Sequence, residues 1–154
     1  MRKPLAIFGL AAACAASAVA ADRLQVIPPE RLANYWLLQS SSATAANVPN
    51  SGVNLDAPTC AAVSYVVEKD GSTSRVKLER VVPQGDLGKV AVSVVSGMHF
   101  AAAPSNMGKD AVYTYVVMPF NLPGAQSTNV QDKATRARVT DACKLDDFTQ
   151  RKIP

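Results

Sequence analysis

Histidine and tryptophan each occur once in this chain, at His99 and Trp36, and cysteine occurs three times. One histidine and so few thiols leave too few soft ligands for a zinc-type centre. Charged residues make up 18% of the sequence, below the roughly 25% of an average soluble domain. No run of Lys or Arg would track a phosphate backbone, and no basic residues alternate with stacking aromatics, which argues against a nucleic-acid partner. A long apolar run is also missing. The longest, Leu5 to Ala16, is interrupted only by Gly9 and falls short of the ~20 residues that span a bilayer. No internal repeat is visible.

The short apolar run has a different meaning. Arg2 and Lys3 precede it, and Ala18 and Ala20 follow with the small-residue spacing of a cleavage site. Residues 1–20 therefore predict a secretory signal peptide. Two alternatives compete with it, an uncleaved anchor and a lipoprotein processed at Cys14. The 16 basic and 12 acidic residues give a net charge of +4. Without Arg2 and Lys3 the balance is 14 to 12, so half of the apparent basicity belongs to the signal. The remaining chain, 21–154, is one domain's worth of sequence. It keeps two cysteines, Cys60 and Cys143. An even pair in an exported protein predicts a disulfide, with two buried free thiols as the alternative. A loop-entropy treatment values such a bridge at roughly 4 kcal/mol.

Residues 21–28 read as extended. "PERLANYWLLQ" follows, with Pro29 suited to a first helical turn, Glu30 to its positive end, and Leu32, Tyr35, Trp36 and Gln39 at helical spacing. A short amphipathic helix is expected over 29–39, then a linker through "SSSATAANVPNSG" to residue 52. A compact module is expected over 53–122. In Ala61 to Glu68, Val63, Tyr65 and Val67 alternate with Ala62, Ser64 and Val66, a first strand. Asp70-Gly71 is a hairpin turn, because glycine accepts positive φ. A second strand runs over about Thr73 to Val82, with Val76, Leu78 and Val82 on one face and Arg75, Lys77 and Glu79 on the other. Arg80 breaks this alternation. The pattern predicts a sheet with one solvated side.

"VAVSVV" is β-branched, and propensity alone favours a strand. Spacing favours a helix: Leu87, Val90, Ala91, Val94, Val95 and Met98 share one helical face, with Asp86 placed as N-cap. Residues 101–110 read as a loop. A third strand is expected over Ala111 to Met118, with Tyr113, Tyr115 and Val117 on one face and Val112, Thr114, Val116 and Met118 on the other. Pro119 is expected to end it. Residues 123–154 form a tail with a helix in "KATRARVTDACKLDDF". The predicted fold class is α+β, an antiparallel strand-strand-helix-strand sheet crossed by a helix, with short terminal helices.

No catalytic constellation is present. His99 has neither a nucleophile elbow nor an oxyanion loop near it in sequence. Asp146-Asp147 lacks the repeated oxygen ligands and glycine of a calcium loop. Trp36 with Tyr35 reads as a packing pair before a docking patch. The expectation is a protein that is not an enzyme, with no cofactor, no metal and no small-molecule substrate.

The ordered set Val63, Tyr65, Val67, Asp70-Gly71, Val76, Val81, Gly85, Leu87, Phe100, Pro104, Gly108, Val112, Tyr115, Val117, Pro119 and Phe120 resembles the C-terminal domain of the TonB energy-transducer family. The resemblance covers roughly 53–122. It departs from the family in lacking a Pro-rich spacer and the Tyr-Pro motif before the first strand, where "DAPTC" stands. A cleaved signal would also leave no transmembrane anchor. The resemblance implies a module that adds an extended segment of a partner protein, such as an outer-membrane transporter, to an open sheet edge. The implied edge is the third strand: Val112, Tyr113, Thr114, Tyr115, Val116, Val117 and Met118. Two alternatives accompany this: an envelope-accessory protein whose edge is capped by its own tail, and a homodimer. The expected location is the periplasm.

Overall fold

A computed structural model describes residues 24–41, 51–151 and 153. The expected signal peptide, Cys14 and most of the expected linker lie outside the described residues. The elements in chain order are β1 (Gln25–Val26), a 3-10 helix (Pro29–Asn34), β2 (Trp36–Ser41), β3 (Thr59–Val67), β4 (Thr73–Val82), α1 (Leu87–Ser96), β5 (Met98–Ala102), β6 (Val112–Phe120), α2 (Val130–Ala142) and a last 3-10 turn (Phe148–Gln150). The fold class is α+β. The main sheet has the order β1-β6-β3-β4, and β2 pairs with β5 in a separate two-stranded sheet. β3 is antiparallel to both β4 and β6, while β1 runs parallel to β6.

One core lies between the main sheet and α1. Leu87, Val90, Ala91, Val94 and Val95 of the helix pack on Ala61, Val63, Tyr65 and Val67 of β3. The helical spacing of these residues overrides their β propensity, because a single face then buries Leu87, Val90, Val94 and Val95 together, each worth roughly 1.5–3 kcal/mol. Gly88 packs tightly against Leu78 of β4. A Cβ there would lie 2.6 Å from Leu78 Cδ2. Asp86 precedes the helix but does not cap it with its side chain. Its Oδ2 instead accepts from Val53 N at 3.0 Å and its Oδ1 from Lys89 Nζ at 2.8 Å, fastening the incoming loop to the helix start.

Four sequence expectations change. The 29–39 helix exists only as a 3-10 helix over Pro29–Asn34, and Trp36 begins a strand. A segment this short cannot sustain an α-helix by itself, and tertiary contacts decide its shape. Trp36 is buried and donates from Nε1 to Asp110 O at 3.0 Å, while Trp36 and Leu37 pair with Ala102 and Ala101. Met98 still faces the core but opens β5, so α1 stops at Ser96 and the loop expected from 101 begins two residues later. The loop from Ala103 to Asp110 is organised by buried Asn106, which donates to Tyr35 O and accepts from Asp110 N.

The third change explains Arg80. Ala62 pairs with Arg80 and Val63 with Leu78, so Glu79 is an extra residue, a β-bulge. The bulge reverses the alternation. Val81 joins the helix-side core, and Val82, expected beside Leu78, turns to the opposite face. The fourth is the solvated side. All nine residues of β3 are buried, because the C-terminal tail covers the sheet face opposite α1. Cys60 and Cys143 are joined by a disulfide at its centre. Ala62, Val66, Tyr113 and Tyr115 meet Leu145 and Phe148 there.

The hairpin turn is also a junction. Gly71 has φ +84°, and a Cβ on it would run into the Phe100 carbonyl oxygen. Phe100 N donates to Gly71 O at 2.8 Å, and Ser72 bridges His99. Asp70 closes the turn by accepting from Ser72 N and Oγ. The small sheet is thereby fixed to the hairpin tip, and Phe100 stacks on Tyr65.

Candidate functional site

β6 alternates cleanly. Val112, Val116, Met118 and Phe120 face the α1 side, and Tyr113, Tyr115 and Val117 face the tail. Every residue from Val112 to Phe120 pairs with β3, from Val67 to Thr59. Pro119 lies inside the strand and does not end it at Met118. The other long edge of β6 is the candidate site.

Its beginning is occupied. Gln25 and Val26 of β1 lie opposite Val112 and Tyr113, and Ile27 N donates to Tyr113 O at 2.8 Å. That bond places the Tyr113 carbonyl on the outer side. By strand alternation, Tyr115, Val117 and Pro119 direct their backbone groups the same way, and Val112, Thr114, Val116 and Met118 direct theirs toward β3. Pro119 agrees with this assignment, because a missing N–H costs no ladder bond at an outward position. In a parallel ladder the next donor after Ile27 is residue 29. Proline there has no N–H, so β1 ends. From Tyr115 onward β6 has no strand partner on this side among the described residues.

The expected edge, Val112 to Met118, is therefore narrower than the sequence suggests. Val112 and Tyr113 are taken, and the unpartnered stretch is Tyr115–Phe120, of which Val116, Val117, Met118 and Phe120 are half-buried and Pro119 is exposed. β1 and the 3-10 helix that follows it both lie against β6, whereas the tail lies on the sheet face. Residues 21–28 were legible as extended, but nothing local marks them as a strand of this sheet.

The tail frames the site. Phe148 packs on Tyr113 and Tyr115, with ring centroids 5.0 and 4.7 Å apart. Tyr115 Oη accepts from Leu145 N at 3.3 Å. Arg80, freed by the bulge to face the tail, donates to the carbonyls of Ala142 and Lys144 at the end of α2. Glu79 accepts from Ser64 Oγ at 2.8 Å and pairs with Arg151 at 3.1 Å. Arg151 also holds Asp147 at 3.0 Å, and this hydrogen bond keeps the Asp147 carboxyl below the usual range. Asp147 is thus part of a latch. Between the 3-10 helix and the tail, beside Tyr115, lies a groove of about 240 Å³.

His99 is exposed on β5 near Ser72 and Asp70, but Ser72 Oγ donates to Asp70 Oδ1 at 2.6 Å, so the serine is engaged in its turn. A larger cavity of about 410 Å³ at the hairpin end mixes Glu68, Asp70 and Asp110 with Lys69 and Arg75 and contains no histidine or cysteine. Among the described residues no three His, Cys, Asp or Glu side chains form a metal-binding group, and no helix is long and apolar enough to cross a membrane. No protein-family model, curated protein or solved structure matches the chain.

Proposed function

We propose that this protein is an exported, non-catalytic binding module, akin to the C-terminal domains of TonB proteins, that captures an extended segment of a partner protein on the outer edge of β6. The observation that carries this reading is the stretch Tyr115–Phe120, which among the described residues has a strand partner on one side only. Unpaired N–H and C=O groups on such an edge are satisfied by a peptide main chain with little demand on its sequence. The partner in this reading is the N-terminal segment of an outer-membrane transporter, and the place is the periplasm. The Cys60–Cys143 disulfide fits an oxidising compartment.

The test is titration with peptides from transporter N-terminal segments, against the parent chain and Val117→Pro. The substitution removes one outward N–H and leaves the β3 side untouched. Binding at up to millimolar peptide, weakened at least tenfold by Val117→Pro, supports the reading. A folded protein that binds none of the peptides refutes it. A second reading, an accessory protein that closes its own edge, is favoured by β1. It predicts peptide binding only after residues 24–27 are deleted.

A further inference from the structure

We infer that β4 is a closed edge: two bulges and the charged side chains beside them bar it from pairing with an added strand, that of a second copy of this chain included. The inference concerns the opposite end of the sheet and holds whether or not β6 binds a peptide. β4 ends the main sheet, and among the described residues no strand pairs with its outer side. At ten residues it is the longest described strand, and a long edge invites pairing with other chains. An added strand needs regularly spaced N–H and C=O groups. β6 keeps such spacing, since all nine of its residues hold one register with β3. β4 does not. Its pairing with β3 runs from Cys60–Val82 to Ala62–Arg80, restarts at Val63–Leu78 and Ser64–Lys77, and restarts again at Val66–Ser74 and Val67–Thr73. The unbroken runs are three, two and two residues long.

Glu79 is the extra residue at the first break. At the second, Tyr65 stands against both Arg75 and Val76. Arg75 has φ +50°, the left-handed conformation that one class of bulge gives to glycine. With arginine there, the bend in the backbone and an exposed cationic residue fall at one position. Each bulge bends the strand and increases its twist, so a partner strand would need a matching bulge at both places. Lys77 lies between them, with its side chain 62% exposed and its ammonium 3.3 Å from Glu79. A second copy docking edge to edge about a two-fold axis at Lys77 would set two ammonium groups opposite each other, which is destabilising. The first bulge is fastened by the tail, because Glu79 accepts from Ser64 Oγ and pairs with Arg151.

The experiment removes the second bulge and the lysine together. Deleting Arg75 sets Val76 opposite Tyr65 and joins Thr73, Ser74, Val76, Lys77 and Leu78 in one register, and Lys77→Thr removes the charge. In sedimentation equilibrium at millimolar protein the parent should stay monomeric. The chain carrying the deletion and Lys77→Thr should show twice the parent's mass, with amide exchange slowed along residues 73–78. Arg75→Gly combined with Lys77→Thr keeps the bulge without the charges and should associate at least tenfold more weakly than the deletion. A parent that dimerises with β4 protected overturns the inference, and so does a folded deletion variant that remains monomeric. A second measurement needs no variant. A blocked Thr-Val-Thr-Lys-Thr-Val-Thr peptide, titrated to millimolar concentration into the parent with its disulfide intact, should leave the amide signals of residues 73–82 unmoved. Shifts along β4 overturn the inference, whereas shifts confined to β6 support it and the edge reading together.

Discussion

Replacing Cys60 and Cys143 together by alanine removes the only covalent tie between the tail and the sheet among the described residues. The two positions are 83 residues apart and fully buried. Loop entropy alone assigns a cross-link of that span about 4.5 kcal/mol. Tail contacts that survive the change are substantial: Leu145 and Phe148 are buried, Arg80 binds two tail carbonyls, and Arg151 binds Glu79. Two buried apolar side chains at roughly 1.5–3 kcal/mol each keep the tail docked in the native state. The expected result is a loss of about 3–5 kcal/mol in urea unfolding, with a native near-UV spectrum in the absence of denaturant. The slope against urea should rise, because an uncross-linked chain exposes more surface when unfolded. In thermal unfolding the loss corresponds to a fall of about 10–20 °C in Tm. A loss below about 1 kcal/mol with unchanged slope would refute the view that the bridge acts by closing a long loop around the sheet.

Phe148→Ala should cost about 3–5 kcal/mol as a large-to-small core change and should alter the tyrosine near-UV signal, because Tyr113 and Tyr115 lose their ring partner. Gly71→Ala combines a positive φ with a clash against Phe100 O. A loss of about 3 kcal/mol is expected, with hydrogen exchange rising at Phe100. The Asp147 carboxyl is held low by its hydrogen bond to Arg151. A depressed carboxylate contributes stability above its unfolded value of about 3.9, and loses it as pH falls through the lower folded value. Carboxyl NMR should therefore show Asp147 titrating below an unperturbed aspartate, and Arg151→Ala should move its titration upward.

The hairpin, α1, the faces of β6 and the Cys60–Cys143 pairing were legible because each rests on a local pattern or on cysteine count. The strands at Trp36 and Met98 were not. Each is short, and each depends on the other and on Asn106, Asp110 and Gly71. The bulge at Glu79 showed in the sequence only as the misplaced Arg80, whose meaning appears once the tail carbonyls are beside it. At the candidate site, the strand could be read from alternation. The coverage of Val112 and Tyr113 by β1 could not, since two paired residues leave no periodic trace. The groove was equally hidden, because Leu145 and Phe148 approach Tyr115 only through the fold of a polar helix tethered at Cys143.

The central claim is that β6 is open to an extended peptide from Tyr115 onward. Amide hydrogen exchange at Val117, with and without a peptide from a transporter N-terminal segment, tests it most directly. Its outward N–H should exchange rapidly in the free protein and become protected in the complex, while amides of the β4 edge stay unchanged. Protection of Val117 already present in the free protein, or protection by the peptide appearing along β4 instead, would contradict the account.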